Sequence, residues 1–156
     1  MSYAQNTSVP VERSRYEIEN ILTRYGADAF LTARRAQDST IAFTCHGLAV
    51  RFVLPNPTKD DVPAMDGRSK TKPRSAAAVD ADVKQEERRR WRALALIVKA
   101  KLEAVASGIT TFEKEFLAHI VMHNGTSVGD VVIPALVEAA KTKKMPTLAL
   151  LSGPAK

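Results

Sequence analysis

Between Glu86 and Val105 the chain reads Glu-Glu-Arg-Arg-Arg-Trp-Arg-Ala-Leu-Ala-Leu-Ile-Val-Lys-Ala-Lys-Leu-Glu-Ala-Val, and no other stretch constrains the fold as tightly. Trp91, Leu94, Val98, Leu102 and Val105 recur at steps of three and four, which places them on one stripe of a helix. That stripe holds the only tryptophan of the chain. A stripe so apolar must be covered, so the remaining elements have to pack against this helix. Ser107-Gly108 follows as its stop, a glycine being the residue that best tolerates the left-handed cap.

The elements available for packing can be read on either side. Pro10 and Ser8 offer one helix start and Ser14 with Glu17 a second, a capping box, ahead of Ile18, Ile21, Leu22 and Tyr25 on one face; Gly26 stands where a C-terminal cap belongs. From Ala27 to Leu54 the period changes to two. Ile41, Phe43 and Cys45 alternate with polar or small residues, as do Leu48, Val50, Phe52 and Leu54, and Ala27–Ala33 is a weaker third strand. Short connections at Gln37-Asp38 and His46-Gly47 make these strands an antiparallel meander, with Arg34, Thr44 and Arg51 on its outer face. Pro55-Asn56-Pro57 ends the sheet.

Residues 56–84 are rich in Pro, Asp, Lys, Ser and Ala and poor in large apolar side chains, the pattern of a flexible loop, here a basic one. Residues 1–8 read as a disordered lead. Beyond the central helix, Thr110 and Glu113 suggest a capping box before Phe112, Phe116, Leu117 and Ile120, and His123-Asn124-Gly125-Thr126 is a hairpin signal. Ser127 and Asp130 cap a last helix whose expected buried side is Leu136, Val137 and Ala140. After Pro146 the tail is apolar at Leu148, Leu150 and Leu151, able to pack back on the core or to meet a partner. The expected architecture is therefore a single α+β domain over 1–156: a three-stranded antiparallel meander with helices on one face, in the order α-β-β-β-(long loop)-α-α-(short hairpin)-α.

Function is bounded first by charge. Lys and Arg number 23 against 17 Asp and Glu, a net charge of +6, and this surplus attracts phosphate backbones and acidic protein surfaces alike. One cysteine, Cys45, forbids an internal disulfide and fits a reducing compartment. The polar start of the chain and the lack of a membrane-length apolar run point to the cytoplasm.

The leading candidate site is the arginine run. Arg88, Arg92 and Lys99 form a stripe beside the apolar face, while Arg90 and Lys101 lie on the other flank; Arg89 belongs to the same run, and Arg68, Lys70, Lys72 and Arg74 form a cationic arm in the preceding loop. Such a set can track a phosphate backbone. The competing reading is that long cationic stems run along the edges of a buried helix. Trp91 could stack on a base, as could Phe30 or Tyr3, but its place in the apolar stripe makes it core. Glu115, His119 and His123 would share a face if the helix continued, yet Asn124-Gly125 ends it there, and no His-Glu-x-x-His signature is present, so no metal is expected. Cys45 alternates with Ile41 and Phe43 as a small buried hydrophobe. Carboxylates at Asp60-Asp61, Asp80 with Asp82, and Glu86-Glu87 read as charge balance rather than acid–base machinery. With no phosphate-binding glycine loop, nucleophile elbow or dinucleotide fingerprint, neither an enzyme nor a cofactor is expected.

Arg51–Pro55, Arg90–Val105 and Gly108–Val121 together resemble a family of small proteins carried by bacteriophages and prophages. That resemblance implies a small protein of the infected host's cytoplasm that handles nucleic acid or interferes with a host system, and it implies no catalytic residues. The helix, meander, helix order is also similar to that of a double-stranded-RNA-binding domain, whose basic cluster and loop motifs are not matched. The expectation is a non-enzymatic binder of DNA or RNA. Its alternative is a protein-interaction module directed at an acidic host defence or replication factor, and a metal-dependent nuclease comes third. Oligomerisation through Leu96 and Ile97 on the back of the central helix is left open.

Overall fold

The computed structural model describes residues 7–65 and 73–146. Helix α1 spans Val11–Arg24, strands β1, β2 and β3 span Ala29–Arg34, Asp38–Cys45 and Leu48–Pro55, and helix α2 spans Ala76–Ala106. Helix α3 (Phe112–Phe116) runs into a 3-10 turn at Leu117–His119, and α4 spans Val128–Thr142. The sheet order is β1-β2-β3, antiparallel throughout, so the expected α+β meander and element order are present. Among the described residues no helix is long and apolar enough to cross a membrane.

Period-two patterning sets the inner face of the sheet. Ser39, Ile41, Phe43 and Cys45 on β2 and Val50 and Phe52 on β3 are buried, and the β1 register opposes Phe30, Thr32 and Arg34 to Phe43, Ile41 and Ser39. Arg34 therefore belongs to the inner face and not, as the alternation suggested, to the outer one; it reaches past the end of the core to form an ion pair with Glu87 of α2. The β2–β3 turn places His46 at φ 52° and Gly47 at φ 74°, the two left-handed residues that match the strand twist. Asn56, read as a strand stop, also ties the first hairpin: its Nδ2 donates to the Arg35 carbonyl at 2.8 Å, and its Oδ1 accepts from Ser39 Oγ at 2.8 Å.

Onto this face pack α1 and α2. Ile18, Ile21 and Leu22 of α1 and Trp91, Leu94, Ala95, Val98 and Leu102 of α2 join the strand residues, Phe112 and Phe116 in one core. Contacts of Glu17 with Arg92 and of Thr7 with Gln85 show that α1 and α2 run side by side in the same direction. Ser14 does not begin α1 as a cap. The helix starts after Pro10, and Ser14 is one of its fully buried residues.

Three further expectations need correction. The stretch 56–84 is not one flexible loop: Lys59–Asp61 forms a 3-10 turn closed by a Thr58–Asp61 capping box, Met65 bridges Pro73, and α2 begins at Ala76 with Ser75 Oγ accepting from the Ala78 N–H. Alanine-rich sequence after an N-cap forms helix by local propensity without needing an apolar face, which is why hydrophobic patterning missed it. The lead is also shorter than 1–8, since the Thr7 carbonyl accepts from Gln85 Nε2 at 2.8 Å; residues 1–6 lie outside the described residues, as do Leu148, Leu150 and Leu151. Third, α4 does not bury Leu136, Val137 and Ala140. Gly129 is its only buried residue, while Leu136 and Val137 are each 48% exposed. An apolar pattern shows which face seeks cover, not whether the same chain supplies it.

The start of α4 is nevertheless fixed. Ser127 and Asp130 form a reciprocal capping box, and Gly129 rests so closely on the preceding turn that a Cβ there would lie 2.7 Å from the Ala118 carbonyl oxygen. Gly129→Ala sets a helix-propensity gain of ~1 kcal/mol against that clash with backbone. The clash should win by about 1–2 kcal/mol, read as a lowered midpoint in urea unfolding.

Candidate nucleic-acid interface

The arginine run is divided by the partners that the fold brings to it. Arg89 lies along its own helix, with Nε and NH2 donating to the Glu86 carboxylate at 2.6 and 2.5 Å. Arg90 also binds Glu86, at 2.9 Å, reaches Asp61 at 3.1 Å and donates to the Pro55 carbonyl at 2.9 Å. Arg92 is paired with Glu17 of α1. Lys101, on the opposite flank, is 3.1 Å from the Glu115 carboxylate. Asp61 and Glu86, two of the carboxylates read as charge balance, are among these partners, and the Arg89 guanidinium, together with Arg90, holds the Glu86 carboxyl below its ordinary range.

Of the cations expected to bind, Arg88 and Lys99 form no ion pair among the described residues. Arg88 donates to the neutral Gln85 oxygen, at 2.9 Å, and Lys99 is exposed on the α1 side of α2. Arg74 is paired with Asp82 and also donates to the Pro63 carbonyl at 3.3 Å, so it anchors the start of α2. Arg68, Lys70 and Lys72 lie outside the described residues.

What the structure adds is a set of α1 residues. A groove of about 380 Å³ between the two helices is lined by Arg13, Tyr16, Glu17, Asn20, Ile21, Arg24 and Lys99. Arg13 and Arg24 are exposed and, among the described residues, form no ion pair. Tyr16 is 65% exposed. Eleven residues at 1.5 Å per residue place Arg13 about 16 Å from Arg24 along the helix, with Glu17 between them occupied by Arg92. The signal was present in the sequence: Arg13, Glu17, Asn20 and Arg24 recur at steps of three and four beside the Ile18–Ile21–Leu22 face. Next along the rim, Leu96, Ile97 and Ala100 form an apolar patch bordered by Lys99 and Glu103, and Ile97 is 47% exposed.

Trp91 is fully buried, with the Arg15 guanidinium 4.4 Å from its ring centroid, so it packs rather than stacks on a ligand. Phe30 packs against the core, and Tyr3 lies outside the described residues. The Glu115–His119–His123 face does not form, because regular helix ends at Phe116 and Gly125 turns the chain at φ 81°. His119 instead stacks on Phe52, with ring centroids 4.0 Å apart. Among the described residues no group of three His, Cys, Asp or Glu side chains could hold a metal ion. Cys45 is buried, and burial raises its thiol pKa. Searches against protein-family models, curated proteins and solved structures find no match to this chain.

Two predictions separate bound from available groups. Arg92→Ala should lower unfolding stability by about 1 kcal/mol, the partly exposed pair with Glu17 limiting the loss, whereas Lys99→Ala should change it by less than about 0.5 kcal/mol. For His119, burial and the neighbouring Lys101 lower the pKa. The folded state then favours the neutral ring, so its contribution is held above the unfolded value of about 6.5 and lost as pH falls through the folded one. Chemical denaturation of the native chain should show stability falling across that window, and His119→Gln should flatten the slope.

Proposed function

We propose that this protein binds nucleic acid without catalysing a reaction on it, through phosphate contacts along the rim where α1 meets α2. One observation carries the reading: Arg13, Arg24 and Lys99 line one groove between the helices, and Arg88 lines a second pocket with Lys84, Glu12 and Glu87, all four cations without ion-pair partners among the described residues, while neighbouring arginines are matched to carboxylates. A row of unmatched cations gains on meeting phosphate because each contact releases condensed counterions. Arg89 and Arg92 support this surface by fixing α2 rather than by touching the ligand. DNA and RNA share the phosphate chemistry involved. A phage protein acting in its host's cytoplasm is the setting suggested by the family resemblance.

A second reading is favoured by the apolar patch of Leu96, Ile97 and Ala100 beside Lys99. Cations bordering exposed aliphatic side chains also suit an acidic protein surface with an apolar centre, as a module acting on a host defence or replication factor would need.

Filter binding of the full chain to single- and double-stranded DNA and RNA across a salt series tests the first reading. With three or four phosphates neutralised, log affinity should fall with log salt at a slope of about −2 to −4. Arg24→Glu with Lys99→Glu should abolish most binding at low salt. No binding of the native chain to any of the four ligands at low salt sinks the proposal, and a protein companion that survives nuclease treatment in a pull-down favours the second.

A further inference from the structure

Helix α4 is the least covered part of the described fold. Its 15 residues bury Gly129 alone, and its close packing is with the turn at Leu117–His119. A helix this short is marginal in water without an apolar face packed against something. Half-buried Val128, Val131, Val132, Ala135 and Ala139 lie on one side of it, while Asp130, Ile133, Val137, Ala140 and Lys141 are exposed on the other. Ile133 is 53% exposed, and Leu117, also 53% exposed, lines the same groove as Ile133 and Leu136. The uncovered surface is thus an apolar stripe with an acid at one end and a base at the other; the acid, Asp130, accepts from the Ser127 N–H and lies 3.9 Å from Arg51, yet keeps 67% of its side chain exposed.

That order of charges selects the occupant. We infer that α4 pairs antiparallel with α4 of a second copy of this chain, forming a two-fold homodimer seam. Steps of three and four put Asp130, Ile133, Val137 and Ala140 in register for a two-helix seam, with Lys141 beside Ala140. Turned end for end about the level of Ala135, Ile133 meets Val137 of the second copy, and Asp130 comes level with Ala140 of the second copy, one residue and about 1.5 Å along the axis from Lys141. The operation is its own inverse, so each contact occurs twice, as a two-fold interface requires. Parallel pairing would instead set Asp130 against Asp130 and Lys141 against Lys141. The stripe therefore complements itself in one direction only, a property that a surface built for an unrelated partner does not need. Leu117 borders the seam and enlarges an interface that two short helices alone would leave small.

Sedimentation equilibrium of the full chain is the test, with far-UV circular dichroism reporting the fold of each variant. The native chain should be a reversible dimer at about 50 µM, a weak association suited to a small interface. Val137→Glu should be monomeric at that concentration with its helical signal kept. Lys141→Glu, a surface change that leaves folding intact, should weaken the dimer about tenfold, because two exposed pairs change from attraction to repulsion. Val53→Glu, on the open outer face of the sheet, should leave it unchanged. A native chain that stays monomeric, a dimer that survives Val137→Glu, or one dissociated by Val53→Glu overturns the seam. An unchanged dimer in Lys141→Glu overturns its antiparallel order.

Discussion

Burial of Trp91 between α1 and the inner face of the sheet is the contact on which the rest of this structure depends. The indole is fully enclosed, and an aromatic side chain of this size contributes ~3 kcal/mol through area removed from water. It fixes the rotation of α2 about its own axis. Leu94, Val98 and Leu102 then face Ile41, Phe43, Val50 and Phe52 in the same core, and the charged residues on either side are carried to places their local sequence does not reveal. Arg92 is delivered to Glu17, Glu87 to Arg34 and Lys101 to Glu115.

That delivery resolves the ambiguity of a basic segment in favour of structure for some residues and against it for others. An arginine beside a buried helix can pair inward or remain available, and the difference lies in whether a carboxylate is held within reach. Glu86 is held, and it takes both Arg89 and Arg90. Arg88 and Lys99, on the α1 side, form no ion pair among the described residues, although Glu12 and Glu103 line the same pockets. A net positive charge is thus a poor guide to the strength of a surface field, because much of the arginine content of this chain is neutralised within the fold.

Much of the fold was legible because its signals are local and periodic. The alternation through Ile41–Cys45 and Leu48–Leu54, the left-handed turn at His46-Gly47 and the stripe from Trp91 to Val105 all depend on residues a few positions apart. The start of α2 was not legible from hydrophobicity, since Ala76–Gln85 is set by alanine propensity and a serine cap. The pairing of the candidate site was hidden for another reason: Arg92 and Glu17 are 75 residues apart and Arg34 and Glu87 are 53 apart, so their contact exists only once the core has set the geometry. Arg13 and Arg24 carry no comparable local signal, since neither belongs to a dense run, and they come together with Lys99 only in the folded groove.

The two halves of α2 are held by different physics, and this grades its local stability. From Trp91 to Leu102 the helix is fastened by buried apolar contacts, which salt does not screen. From Ala76 to Gln85 it is tied mainly by its cap and by side-chain links at its surface, Arg74–Asp82, Lys59–Asp80 and Gln85–Thr7, of which the ionic ones weaken as ionic strength rises. Amide exchange along this one helix would therefore be expected to change near Glu86, from opening by local fraying to opening only with the whole domain. A continuous rod in shape, α2 is in energetic terms a rigid spindle with a detachable lead, and the connection from the sheet is fastened to the detachable part.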